Sequence, residues 1–427
     1  MQTALRRVAL LSVLVIATAP LAAQQFGPQD LLLSAPSVGS VWRVDGTTHV
    51  GAQLAAGVSI VHYGWVGTDG NFYVPDRGWI SILKVEPDGT LSALTSAGHM
   101  ILPVTCIPTL DDTALVVSDM GSNKILRVDY DGTQTVMHDD TTAGGLLDMP
   151  DGMAWDDAGN LYVAQLGNHT LVKIDPQGQA TLFSASPILS QPGGVAIDGA
   201  GNLFVANYGT STIARFRLDT GEGEVFAGPD LNLMLTPNDL KLSRRGGMLV
   251  SAKKGTVVRV DALGHIALVF RDEALGELDG VSVPEDRTLC TGRYESYGAG
   301  QAGSGGLVPQ LRAIFSPCGG QTVGFEFLDF AGGAPAILFI GSSPLAPGAA
   351  SFKGAPLLVD PAGAVFLTMP LAFPGSGAGA GDIRLQFKVP TTPGLIGLDL
   401  YHQVFAGDAA APGGVSASNG LKETFGI

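Results

Sequence analysis

The chain is poor in cysteine, in charge, in aromatic rings and in long apolar runs, and each shortage removes a class of protein. Three cysteines in 427 residues (Cys106, Cys290, Cys318), with no CxxC spacing, exclude zinc ribbons and thioredoxin-like redox motifs. In an oxidising compartment either Cys290 pairs with Cys318, leaving Cys106 buried and free, or all three stay unpaired, since sequence does not fix connectivity. Charged residues are 15% of the chain, and 39 acidic against 24 basic side chains leave a formal charge of −15. Nucleic acid and anionic lipid are therefore not expected partners, because phosphate binding needs a basic face. The one long apolar run is N-terminal. Arg6 and Arg7 precede it, and Pro20-Leu21-Ala22-Ala23 follow it as a small-residue cleavage site. That order is an export signal over residues 1–23, too short to span a membrane. No later stretch reads as a transmembrane helix, so the expected location is periplasmic, cell-surface or extracellular.

Glycine, by contrast, is abundant at 59 residues, as in a protein built largely of turns. One phrase of about fifteen residues recurs six times, starting at Leu31, Phe72, Leu115, Leu161, Leu203 and Met248. Each copy joins a short apolar strand, a Gly/Ser/Asn turn and a second strand of alternating apolar and basic residues. A period of about 40 to 46 residues is that of a propeller blade. Hairpin turns such as Asp156–Asn160 (DDAGN) and Asp198–Asn202 (DGAGN) join each phrase to an inner strand ahead of it, and outer strands follow. The first phrase lacks an inner strand, while Asp279–Val283 is an inner strand without a full phrase. Pairing these two orphans closes a ring and removes exposed sheet edges.

The expected fold is thus all-β: a six-bladed propeller over residues 24–295, a Gly/Ser-rich linker over 296–318 and a small β-sandwich over 319–427. A seventh blade built from Thr288–Tyr294 is the alternative.

Ten residues before each phrase from Phe72 onward, and ten before Leu289 where a further phrase begins and decays, stands the residue that enters an inner strand: His62, Thr105, Asp151, Gly193, Asn238 and Asp279. These six should ring one mouth of the central channel. Five are polar on otherwise apolar strands. Oxygen-rich rings suit Ca²⁺ or Mg²⁺, so Asp151, Asn238, Asp279 and His62 are candidate metal ligands, with Thr105 and Gly193 lining the channel. The competing reading is polar side chains facing channel water, with no cofactor. The remaining histidines, His49, His99, His138, His169, His265 and His402, read as scattered surface residues. No nucleophile-elbow serine or phosphate loop occurs, and no catalytic residue is assigned.

The stretch MPDGMAWDDAGNLYVAQLGNHTLVKIDP (149–176) resembles a blade of the gluconolactonase/regucalcin family and also fits NHL-repeat propellers. The resemblance implies a metal-binding aspartate at Asp151 and a divalent-metal-dependent lactonase-type hydrolase. It further implies a glutamate and two asparagines in preceding blades, where this chain has Thr105 and His62. Streptogramin lyases share the repeat pattern, but their catalytic histidine cluster has no counterpart here. The tail, through PGLIGLDLYHQVFAGD and SNGL, is loosely similar to C-terminal modules of exported planctomycete proteins.

Two functions follow as expectations. The first is an exported, non-enzymatic binding module holding a small molecule, a polysaccharide or an extracellular protein at the channel mouth or blade tops. The second is the metal-dependent hydrolase. A cell-surface spacer is a third role that the tail suits.

Overall fold

The computed structural model describes residues 25–140, 145–243, 246–284 and 290–426. The export signal read in residues 1–23 lies outside them, as does part of the seventh-blade alternative. Among the described residues, no helix is long and apolar enough to cross a membrane.

Six four-stranded antiparallel sheets stand in chain order around a channel, as β-propeller blades. Blade 4 is representative, with strands Pro150–Trp155, Leu161–Gln165, Thr170–Ile174 and Ala180–Ser184. Its first turn closes because Asp156 accepts hydrogen bonds from the backbone N–H of Ala158 and Asn160, while Gly159 takes a φ of +81°. The second strand of every blade is apolar on both faces because a neighbouring blade covers each face. Ile107 and Val116 of blade 3, for example, pack with Met153, Val163 and Val172 of blade 4 in one cluster. Outer strands such as Leu91–Ser96 are half exposed and carry the polar alternation.

Blade 1 is assembled from both ends of the repeat region. Gly280–Ser282 pairs antiparallel with Leu31–Ala35, with Leu33 opposite Val281, and Ser40–Val44 and Gly51–Ala56 complete the sheet. Asp239 stitches the seam from blade 6. Its carboxylate accepts the Val281 N–H at 3.2 Å and pairs with Lys241 at 3.1 Å.

The C-terminal unit has two main sheets and a two-stranded hairpin, Ser351–Phe352 with Ala355–Pro356. One runs Arg293–Tyr297, Gly420–Thr424, Asp399–Gly407, Pro335–Gly341 and Phe366–Ala372, and the other Gln310–Ile314, Thr322–Leu328 and Ile383–Lys388. Phe325 and Phe327 of the second face Leu338 and Val404 of the first in a shared core. The stretch expected as a linker therefore carries structure. Arg293–Tyr297 is an edge strand of the larger sheet, and Gln310–Ile314 pairs with Thr322–Leu328. Composition hid both, because the Gly/Ser tract between them dominates the window.

This unit docks on blade 5 through the turn Asp198–Asn202. Asp198 accepts the Phe315 N–H at 2.8 Å, the Gly199 N–H reaches Ser316 Oγ, and Asn202 donates to the Ala313 carbonyl. That turn lies at the far end of the inner strand from Gly193. The C-terminal unit thus covers the face opposite the mouth and leaves the mouth open. A disulfide joins Cys290 to Cys318, and Cys106 is free and buried.

Candidate functional site at the channel mouth

Each candidate residue lies in the first residues of an inner strand or just ahead of it, and second-strand serines fix two of them. Ser118 Oγ donates to the Asp151 carbonyl at 2.7 Å, and Ser251 Oγ donates to the Asp279 carbonyl at 3.1 Å. Blade-to-blade hydrogen bonding thereby fixes the backbone at these two ring positions.

Three of the residues form one cluster across blades 6, 1 and 2. His62 Nδ1 lies 2.9 Å from Asp279 Oδ2. Asn238 Nδ2 donates to Asp279 Oδ1, Glu277 Oε1 and the Leu278 carbonyl, each at 3.2 Å. Asp151, on blade 4, stands apart from them but within their field. Burial, and then the negative charges of Asp279 and Asp239, push its carboxyl well above the usual range, against a smaller pull from Arg77. Thr105 and Gly193 complete the circuit on blades 3 and 5.

Sequence reading missed Tyr63, whose side chain reaches from blade 2 toward the opposite blade. A Cβ on Gly193 would lie 3.0 Å from the Tyr63 hydroxyl and 2.8 Å from the Asn238 carbonyl, so only glycine leaves room for the ring. Tyr63 is 4% exposed. Its hydroxyl is pushed far up by burial and by the carboxylates of Asp151, Asp279, Asp239 and Glu277, so it stays a neutral donor. With the ring residues it makes a polar cup at this mouth. No period marks it, since it follows the ring position rather than occupying it.

The cup is polar and incompletely satisfied. Ser34 Oγ, His62 Nε2, Thr105 Oγ1 and Asp151 Oδ1 are buried without a hydrogen-bond partner. Buried polar atoms in native proteins are nearly always partnered, and exceptions mark sites that a water, ion or ligand completes. As arranged, the residues do not form a ready cage for Ca²⁺ or Mg²⁺. Asp279 engages both oxygens with His62 and Asn238, and among the described residues no group of three or more His, Cys, Asp or Glu side chains is placed to hold a metal ion.

The other histidines separate by environment. His265 is exposed beside Asp261, whereas His402, expected at the surface, is 2% exposed and bound to Glu423 at 2.9 Å. It lies in the core of the C-terminal unit, where Glu423 also accepts the Tyr294 hydroxyl.

Residues 59–187, which span blades 2 to 4, match the family described as the SMP-30/Gluconolactonase/LRE-like region. Over these three blades the propeller is gluconolactonase-like. The match includes His62, Thr105 and Asp151 and stops short of Gly193, Asn238 and Asp279. No curated protein matches the chain in sequence. Among solved structures, the propeller is similar to a chain of a nidogen/laminin complex, at 16% identity over 60% of this chain and 97% of that one (TM-score 0.51). Other similar structures are a gluconolactonase from Xanthomonas campestris (17% identity, 60% and 88% covered, TM-score 0.48) and virginiamycin B lyase from Staphylococcus aureus (14%, 60% and 85%, TM-score 0.47). At 16% identity the likeness to the nidogen/laminin chain is one of fold.

Proposed function

We propose that this is an exported binding module whose ligand, a small polar molecule, sits in the cup lined by Tyr63 and rimmed by His62, Thr105, Asp151, Asn238 and Asp279. The observation that carries the proposal is the gathering of four unpartnered buried polar atoms at this one mouth. Its chemistry favours a hydroxyl-rich ligand, which donates to Asp279 and His62 Nε2 and accepts from a protonated Asp151. The Cys290–Cys318 disulfide supports export to an oxidising compartment. Saturation-transfer NMR and calorimetry with a panel of polyols, aldonic acids and sugar lactones test it. Asp279→Ala and Asp151→Ala should each weaken binding at least tenfold; binding unchanged in both would remove the proposal.

The match over residues 59–187 and the His62–Asp279 pair favour a second reading, a hydrolase of the gluconolactonase type. With Nδ1 held by Asp279, the imidazole presents Nε2 as a general base for water, and a protonated Asp151 supplies a proton donor for the leaving oxygen. Acid release from sugar lactones in a pH-stat, with and without Ca²⁺ or Mg²⁺, separates the readings. Turnover lost in His62→Ala supports the hydrolase, and binding without turnover leaves the module.

A further inference from the structure

A cavity of about 620 Å³ lies between blade 5 and the C-terminal unit. Its size suits a small organic ligand, and domain junctions are common ligand sites. The walls are held from both sides. Across the junction, Glu326, fully buried, binds Arg215 at 2.8 Å and Arg384 at 2.7 Å; Glu224 binds the same two arginines. Both guanidiniums lie over the Phe226 ring. The Asp198 turn adds its own hydrogen bonds, so the cavity is a fixed feature rather than a gap between loose bodies.

Its lining has a distinct chemistry. Arg217, Asp219 and Glu222 come from blade 5, and Gln310 and Arg312 from the C-terminal unit. Two cations and two carboxylates cancel, which leaves little field to select an ion. All five are planar groups with paired hydrogen-bonding atoms, the geometry that vicinal hydroxyls match. Arg312 is the least committed. Its guanidinium engages Gln310 Oε1 through Nε and Nη2, and Asp219 lies within its field. Tyr294 supplies a fixed ring, anchored through its hydroxyl to Glu423 at 2.8 Å, against which the C–H face of a sugar can pack.

We propose that the junction cavity binds a neutral oligosaccharide, independently of the channel mouth. Affinity electrophoresis and calorimetry of the full chain with maltohexaose, cellohexaose, xylohexaose and laminarihexaose test it. At least one should bind, Arg312→Ala should weaken it at least tenfold, and Asp279→Ala should leave it unchanged. Glu222→Ala, at an exposed position, provides the same test should Arg312→Ala not fold. Absence of binding to all four sugars, binding indifferent to both junction variants, or loss in Asp279→Ala would each overturn the proposal.

Discussion

At the scale of single residues, the site is governed by charges that burial forces to compete. Asp151 is held well above the usual carboxylate range by burial and by Asp279 and Asp239. Stability from a raised native pKa is fully present below the unfolded value and is lost as pH rises through the native one. Asp151→Asn, neutral at every pH, should therefore match the wild type near pH 3 and exceed it at pH 7. The gap should open above about pH 4 by about 1.4 kcal/mol per unit until the native value is passed. Calorimetric scans between pH 3 and 8 check this, and a variant no more stable than the wild type at pH 7 contradicts it. His62, Asn238 and Asp279 were legible because the repeat assigns each to the opening of an inner strand. Tyr63 was not, because its role arises from reach across the ring, and a period along the chain carries no information about reach. His402 misled for a related reason: a buried partner, Glu423, lies 21 residues away on a neighbouring strand.

At the scale of elements, blades 2 to 5 each carry a side chain at the end of the second strand that ties down the loop arriving from the previous blade. In blade 2 it is Asp76, whose carboxylate accepts the N–H groups of Ser59, Ile60, Gly78 and Trp79. In blade 3 it is Asp119, which accepts those of Ile101, Leu102 and Ser122. Blades 4 and 5 use neutral equivalents, Gln165 on the Asp148 N–H and Asn207 on the Ser190 N–H. Asp76→Ala should cost about 3 kcal/mol or more, since four donors lose their acceptor, and Gln165→Ala about 1–2 kcal/mol. Denaturant unfolding monitored by tryptophan fluorescence gives both, and equal losses would show that the loop ties are not what distinguishes the blades. The strands themselves were readable because turn chemistry and two-sided burial repeat with them. The edge strand Arg293–Tyr297 was not, as it is short, half exposed and borders a glycine-rich tract, so its only signature is its partner Gly420–Thr424.

For the whole molecule, the question is whether the propeller and the C-terminal unit unfold as one body. The Cys290–Cys318 bridge spans 28 residues and on chain-entropy grounds contributes roughly 3–4 kcal/mol to the region it closes. The bridge restrains the chain but supplies no contact between the two folds. Those contacts come from the Asp198 turn, from Phe204 against Phe315, and above all from Glu326 between Arg215 and Arg384. Removing one partner of a buried ion cluster leaves uncompensated charge and costs about 3–5 kcal/mol. Glu326→Ala leaves two arginines facing each other with only the half-exposed Glu224 to share. The cost falls on the junction rather than on either core, because the cluster around Phe327 and Leu338 and the cores between blades do not include these side chains. Differential scanning calorimetry should therefore show the wild type unfolding in one transition and Glu326→Ala in two, the propeller retaining the higher midpoint through its closed ring. Reduction of the disulfide should widen the separation. A Glu326→Ala profile that shifts as a single peak would mean that the two folds are coupled through their apolar contact alone.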